Sequence, residues 1–266
     1  GFSNKALSVG AYNSPYFEIV IGVFMLLFGI NFNLYYFILM RHFREAFGSE
    51  ELRAYLGIVL FSTVTIAANI LSMVGSVGEA VRTAFFQASS IITTTGYATA
   101  DFNLWPTYSR VLLLLLMFVG GCGGSTAGGL KVSRVIIFFK AARQDLNKML
   151  HTHAVTAIRF EGKPLDEKTL QGVHNYFNVY MMLIMLSTVL VSLDGFDMIT
   201  TFTAVITCLN NVGPGMEMVG PMGNFSQFSA PVKYLLSFDM LAGRLELYPM
   251  LAMFAPRLWR RRRTMR

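Results

Sequence analysis

Two short runs constrain this chain more than any other feature: SIITTTGYATAD around Gly96 and AVITCLNNVGPGMEM around Gly213. Each sits at the same place in a copy of one pattern: an apolar segment, a shorter Thr-rich, half-apolar segment, a Gly turn, then a second apolar segment. A polar turn inside a membrane-sized hydrophobic stretch is costly unless it lines a cavity that holds water or ions. A pore lining is therefore the first expectation.

The membrane is read from how the apolar residues are blocked. Of 266 residues, 54% are hydrophobic and 14% charged, whereas a soluble domain carries charge on about a quarter of its residues. The long runs are 16–40, 55–75, 111–121 with 135–139, 176–193 and 234–254. About 20 apolar residues at ~1.5 Å each cross a ~30 Å hydrocarbon layer. The expected class is an all-α membrane protein.

The net charge of +7 does not point to nucleic acid. Basic residues gather at one set of segment ends: Arg41, Arg44 and Arg53; Lys131, Arg134, Lys140, Arg143 and Lys148; Arg257 and Arg260 to Arg263. The opposite ends carry Glu79, Asp101, Asp194, Asp197 and Glu217. That asymmetry follows the positive-inside rule, with basic loops in the cytoplasm and Gly turns near the outer face. A nucleic-acid patch would cluster charge on one soluble face. Cys122 and Cys208 lie in apolar or Gly-rich surroundings and read as reduced packing residues. His151 and His153 lack Cys or carboxylate partners at ligand spacing and read as a solvated loop.

Three segments share one grammar. From Gly1, Gly96 and Gly213, roughly 30 residues in each case lead to a break in a hydrophobic run: GINFN, GGCGGSTAGG (120–129) and Ala242–Arg244. A fixed period of this kind signals internal repetition. Aligning Gly96 with Gly213 pairs Thr93 with Asn210 and Thr95 with Val212. One unit reads as helix, short half-helix, Gly turn, helix. In the middle unit the helix is expected at 54–74, the half-helix at 80–94 and the next helix from Pro106. In the last unit the corresponding spans are 172–193, 197–210 and 229–256. The fold class is thus an all-α chain of repeated units, with two complete repeats and the end of a third. The divisions are 1–53, 54–150, a cytoplasmic linker at 151–171, and 172–266. Within the linker, loose alternation in AVTAIRF followed by EGKP is compatible with a small hairpin as well as with a plain solvated linker.

Chemistry follows from these breaks. An ion entering a dry membrane must replace its hydration shell, and backbone carbonyls do so without adding full charge. Turning successive carbonyls inward needs residues free of Cβ constraint, hence Gly96 and Gly213. A half-helix that ends toward the cavity favours a cation through its C-terminal partial charge. Thr93, Thr94 and Thr95 supply hydroxyls to hold the turn. In GGCGGSTAGG six of ten residues are Gly, so the backbone is expected to leave helical form. A flexible plug below the turns is the functional reading, and a close helix contact of the GxxxG kind the structural one. A phosphate-binding loop fails because no GK[ST] follows. Arg244, inside the last hydrophobic segment, has neither Asp239 nor Glu246 at helical pairing distance. It is expected to donate to carbonyls of the plug across the pore; the competing expectation is snorkelling to the interface.

The runs SIITTTGYATADFNLWP, GGCGGSTAGGLKVSR, NNVGPGMEMVGP and MLAGRLELYPMLAMF resemble the Trk/Ktr/HKT superfamily of cation transporters, nearest its TrkH type, over almost the whole chain. The resemblance implies that these are helix–pore-helix–helix units, potassium-channel-like, with four such repeats around one pore in a bacterial inner membrane. The chain would then begin inside the filter of repeat two. On its own, such a fragment is expected neither to conduct nor to be selective. The resemblance places potassium-coordinating carbonyls at Thr94, Thr95, Asn211 and Val212, and filter glycines at Gly1, Gly96 and Gly213. It makes Gly120, Gly121, Gly123, Gly124, Ser125, Thr126, Gly128 and Gly129 a gating loop, and Arg244 a pore-constricting residue. It further implies K+ as the transported ion with no organic cofactor, symport, a lipid-embedded homodimer, and a cytoplasmic ring subunit that binds nucleotides. That subunit would dock on the basic loops and on 154–165. Sodium or mixed-cation transport within the superfamily is one alternative. An ion-coupled secondary transporter is another, but it needs charged anchors at mid-membrane, and the Gly turns offer none. An enzyme needs a nucleophile–base or metal cluster, and no residue spacing supports one.

Overall fold

A computed structural model describes residues 3, 5, 7–150, 157–245, 247 and 250. Gly1, His151, His153 and the basic residues from Arg257 to Arg263 lie outside the described residues. Among the described residues ten α-helices run in order: α1 (Pro15–Phe28), α2 (Phe32–Leu39), α3 (Phe43–Gly48), α4 (Glu50–Val74), α5 (Val77–Ile92), α6 (Thr107–Val119), α7 (Val132–Leu150), α8 (Glu167–Val191), α9 (Met198–Leu209) and α10 (Ala230–Arg244). Between α7 and α8 lies an antiparallel hairpin of β1 (Arg159–Phe160) and β2 (Lys163–Pro164). Its two-residue turn, Glu161-Gly162, has positive φ at both positions (50° and 73°), the form that matches strand twist.

The two complete units share the order long helix, short helix, turn, helix: α4–α5–α6–α7 and α8–α9–α10. The long first helices, 25 residues each, are apolar enough to cross a membrane. Their exposed faces carry Leu60, Phe61 and Val64 on α4 and Met182, Met185 and Val189 on α8, as lipid contact requires. α9 has 12 residues and spans about 18 Å, too short to cross. It is nevertheless enclosed, with Thr203 to Leu209 all buried. α5 is likewise buried from Phe86 to Ile92, Gln87, Ser89 and Ser90 included.

The second helices are all interrupted. α1 and α2 meet at a 91° bend across Gly29–Asn31. α6 and α7 are separated by residues 120–131. α10 ends at Arg244 and Leu245 has left helical geometry, so the helix expected at 229–256 is interrupted at the Ala242–Arg244 break; Leu247 and Met250 are again helical, and 251–256 lie outside the described residues. Both long helices also start earlier than expected, in the polar residues that precede the apolar runs, and α4 has a side-chain cap there. Ser49 Oγ accepts from Leu52 N (3.2 Å), and Asp166 occupies the cap position of α8. The divisions drawn at 53/54 and 171/172 therefore fall inside α4 and α8.

The largest core cluster joins the two units. Tyr55, Ile66 and Ile70 of α4, Ile91 and Ile92 of α5, and Leu113 and Met117 of α6 enclose Ile206, Val212 and Met216 from the last unit. A second cluster packs Leu130 after the Gly-rich run against Tyr176, Tyr180, Leu209 and Ala242.

Candidate functional site: paired glycine turns above a glycine-rich loop

The chain leaves α5 and α9 by the same backbone route. Thr93 and Asn210 end the helices, with φ/ψ of −85°/2° and −90°/−2°. Thr94 and Asn211 then turn left-handed (φ 53° and 56°), and Gly96 and Gly213 follow at φ 78° and 110°. The bonding matches position for position. Thr94 N donates to Ile91 O and Asn211 N to Cys208 O, both at 3.1 Å. Thr95 N donates to Ser90 O and Val212 N to Thr207 O, both at 2.9 Å. Beneath each turn a hydroxyl reaches the residue after the glycine: Ser90 Oγ donates to Tyr97 O (2.6 Å) and Thr207 Oγ1 to Pro214 O (3.2 Å).

The amides of each turn are thus directed back into the preceding helix. Among the described residues, the carbonyls of Thr94, Thr95, Asn211 and Val212 accept no hydrogen bond. Four carbonyls left open at half-buried or buried residues call for another partner, since interior backbone acceptors are nearly always satisfied. α5 and α9 both end here, and their C-terminal partial charges add to the negative potential.

The two turns abut. A Cβ on Gly96 would lie 2.2 Å from Val212 O, so this glycine is required by its backbone angle and by its neighbour. A third segment joins them: Gly10 N donates to Ala98 O (3.1 Å) and Ala98 N to Ser8 Oγ (3.3 Å). Ser3, Ser8, Gly96, Asn211 and Gly213 line one cavity of about 640 Å³. Ser3, two residues after Gly1, is the nearest described residue to the expected first glycine. The Thr93 hydroxyl donates to Ser89 O (2.6 Å) and accepts from the Thr95 hydroxyl (2.8 Å).

Below the turns, residues 120–131 leave helical form as expected. Thr94 Oγ1 accepts from Gly128 N (2.8 Å), which ties the turn to the loop. A Cβ on Gly128 would sit 2.4 Å from Asn210 O. One unit earlier, a Cβ on Gly29 would sit 2.8 Å from Thr93 Cγ2. Thr93 and Asn210 are equivalent, so these two breaks each lie against the base of the next unit's turn. The loop is held from several sides. Cys122 N donates to Gly29 O (2.9 Å), Phe32 N donates to Gly124 O (3.2 Å), and Gly123 N donates to Glu51 Oε1 (2.7 Å). Ser125 Oγ donates back to Cys122 O (2.6 Å). Cys122 and Cys208 are both free and buried.

Arg244 Nη1 donates to Thr126 O at 2.8 Å, so the expected contact between this arginine and the loop is present. Ser125, Gly128, Gly129, Gly243 and Arg244 line a smaller cavity of about 230 Å³ directly below. Asn211 Nδ2 donates to Met240 O (3.1 Å), which joins the second turn to the helix that carries Arg244.

Three groups escaped the sequence reading. Ser90 and Thr207 stand at one register before the two glycines, so the repeat alignment itself held that signal. Glu51 and the clasp of Asn103 and Arg110 on Glu217 carried none, because their partners lie far away in sequence. Asn103 Nδ2 donates to Glu217 O (3.0 Å), Glu217 N donates to Asn103 Oδ1 (2.9 Å), and Arg110 pairs with the Glu217 carboxylate.

The family model TrkH, described as a cation transport protein, matches residues 1–261. The chain is 35% identical over 264 residues to the Trk system potassium uptake protein TrkH of Escherichia coli K12, covering 98% of this chain and 54% of that protein. It is 33% identical to TrkG of the same organism, over the same shares of the two chains. Among solved structures, the crystal structure of the potassium transporter TrkH from Vibrio parahaemolyticus superposes with a TM-score of 0.89 at 31% identity, covering 97% of this chain and 56% of that one. The chain therefore spans about half the length of the relatives it matches. It is an all-α membrane protein, and with a family model that spans nearly its whole length, the chain belongs to the TrkH family of cation transport proteins.

Proposed function

We propose that this chain supplies three sides of a four-sided pathway for potassium uptake across a bacterial inner membrane. One observation carries the reading: two equivalent turns abut and leave the carbonyls of Thr94, Thr95, Asn211 and Val212 without partners. These oxygens would replace the water around a dehydrated K+ ion, with the ends of α5 and α9 adding negative potential. K+ is the cargo, in keeping with the potassium uptake named for the relatives. Inward movement gains about 2.3 kcal/mol per charge per 100 mV of membrane potential, which is enough to drive accumulation.

The loop from Gly120 to Gly129 acts as the gate in this reading, and Arg244 closes it. The guanidinium holds Thr126 O while placing a positive charge beneath the turns. Gly1 would complete the third side above Ser3. The protein works as a homodimer, and a nucleotide-binding cytoplasmic ring docks on the basic loops and the hairpin. Full-strength complex after deletion of 154–165 would remove the hairpin from that surface.

The test uses the full-length gene in a strain that lacks potassium uptake. Growth at limiting K+ should be restored, and purified protein in vesicles should carry K+ in preference to Na+. Growth that fails despite normal membrane insertion ends the proposal. Equal K+ and Na+ flux assigns the turns to a mixed-cation pathway instead.

A further inference from the structure

The cytoplasmic hairpin is joined to the Gly-rich loop by one chain of hydrogen bonds. At the hairpin turn, Glu161 Oε1 accepts from Ser49 Oγ (2.8 Å) and from Glu51 N (3.0 Å), and so caps the start of α4. The Glu51 side chain continues inward. Its Oε1 accepts from Gly123 N (2.7 Å) in the loop and from Ser133 N (3.0 Å) in the first turn of α7. Lys140 on α7 seals the hairpin from the other side: Nζ donates to Arg159 O (2.7 Å) and pairs with Glu50 at 2.5 Å. Glu51 is only 6% exposed. A carboxylate at that depth is stable because two amides and a helix N-terminus face it.

We propose that Glu51 is the positioning residue of the Gly-rich loop and that Glu161 couples it to the hairpin, so that moving the hairpin releases the loop at Gly123. This deepens the gating role given to the loop above and rests on that reading for its effect on flux. The physical content is geometric. Glu161 fixes the backbone amide of the very residue whose side chain fixes the loop. Shifting the hairpin therefore shifts the origin of the Glu51 side chain, with no flexible segment between. Any cytoplasmic partner that grips β1 and β2 acquires a lever on the loop.

The experiment compares full-length wild type with Glu51→Ala, Glu51→Gln and Glu161→Ala in vesicles, reading amide hydrogen exchange over residues 120–133 alongside K+ flux. Losing a charge-assisted acceptor should speed loop exchange by roughly tenfold or more in Glu51→Ala. Glu51→Gln keeps an acceptor oxygen and should restore most of the protection even if the alanine variant folds poorly. Glu161→Ala, in an exposed turn, should speed exchange in the loop as well as at the start of α4. Unchanged loop exchange in Glu161→Ala overturns the coupling, and unchanged exchange in Glu51→Ala overturns the positioning role. Faster loop exchange with unchanged flux sustains the linkage and instead removes the gating role from the loop.

Discussion

In the middle unit the chain reaches its glycine as Thr93-Thr94-Thr95, and in the last unit as Asn210-Asn211-Val212, yet the backbone follows one path through both. The same donors bond the same acceptors, and the left-handed residues fall at the same two positions. Thirty residues on, the likeness ends. The middle unit interrupts its second helix with a long Gly-rich loop, whereas α10 breaks after a glycine and an arginine, with Leu247 and Met250 helical again beyond. The turns are thus governed by main-chain bonding, which tolerates Thr, Asn or Val side chains as long as the glycine stays. The breaks are governed by mutual fit: the loop offers Thr126 O, and the arginine takes it. Equivalent positions in a repeat have become complementary partners in one hydrogen bond.

The strongest way to break the likeness of the turns is Gly96→Ala. The left-handed backbone angle costs an ordinary residue about 1–2 kcal/mol, and forcing a methyl against Val212 O adds about 1–3 kcal/mol. In the full-length protein, potassium-limited growth should be lost while membrane insertion persists. Gly213→Ala, at φ 110°, should fail in the same manner. If either variant transports K+ selectively at the wild-type rate, main-chain geometry is not what makes the two turns equivalent.

Legibility in the sequence divides along the same line. Whatever repeats could be read: the long helices, the short buried helices, the paired glycines and the three breaks all recur in one order. α5 and α9 were found within three residues of their observed ends for this reason. Even the reach of Arg244 to the loop followed from aligning one break with another. Whatever does not repeat stayed hidden. The early start of α4 depends on Ser49, a polar residue outside the apolar run, and α8 likewise begins in the polar stretch before its apolar run. At the Ala242–Arg244 break what stayed hidden is its neighbour: Leu209 O leaves no room for a Cβ at Gly243. Glu51 and Glu161 are ordinary charged residues by composition, and only the fold brings one to the other. The hairpin is the intermediate case. EGKP marked its turn, but two-residue strands are too short for alternation to prove them.

The complementarity of the breaks is tested next by Arg244→Ala. Removing the guanidinium deletes a charged donor to Thr126 O and a positive charge beneath the turns. Basal K+ flux should rise roughly tenfold, the scale of one hydrogen bond to a charged group. Arg244→Lys should lie between the two, because an ammonium keeps the charge but lacks the planar reach of a guanidinium. Unchanged flux and unchanged gating in Arg244→Ala would separate the two breaks and leave the arginine a purely structural residue.

A smaller effect is expected where the units clasp each other above the turns. Asn103 of the middle unit bonds both main-chain groups of Glu217 in the last, and Arg110 holds the Glu217 carboxylate. These groups are partly open to solvent, so water replaces some of what Asn103→Ala removes. A loss of about 0.5–1.5 kcal/mol follows, read as a few-fold fall in K+ over Na+ preference without loss of total flux. Combining it with Arg110→Ala should give less than the sum of the single effects, because both act on one residue. Strict additivity would show that the clasp is not one device.

The smallest effect sharpens the comparison at the entrance to the short helices. Asp197 caps α9, accepting from Thr200 N at 2.9 Å, whereas Ser76 before α5 makes no side-chain cap bond. Hydrogen bonds from the Thr200 hydroxyl, and then from its amide, hold the Asp197 carboxyl below its usual range, against a weaker opposing effect of burial. A depressed carboxylate stabilises the fold above the ordinary value of 3.8 and loses that contribution as pH falls through its own lower value. Asp197→Ala should therefore cost about 0.5–1 kcal/mol near neutral pH, at the low end for a cap because the site is exposed. The gap between variant and wild-type melting temperatures should close as the medium is acidified below that value. Ser76→Ala should change nothing at any pH, and a loss as large as that of Asp197→Ala would mean the two short helices are anchored alike after all.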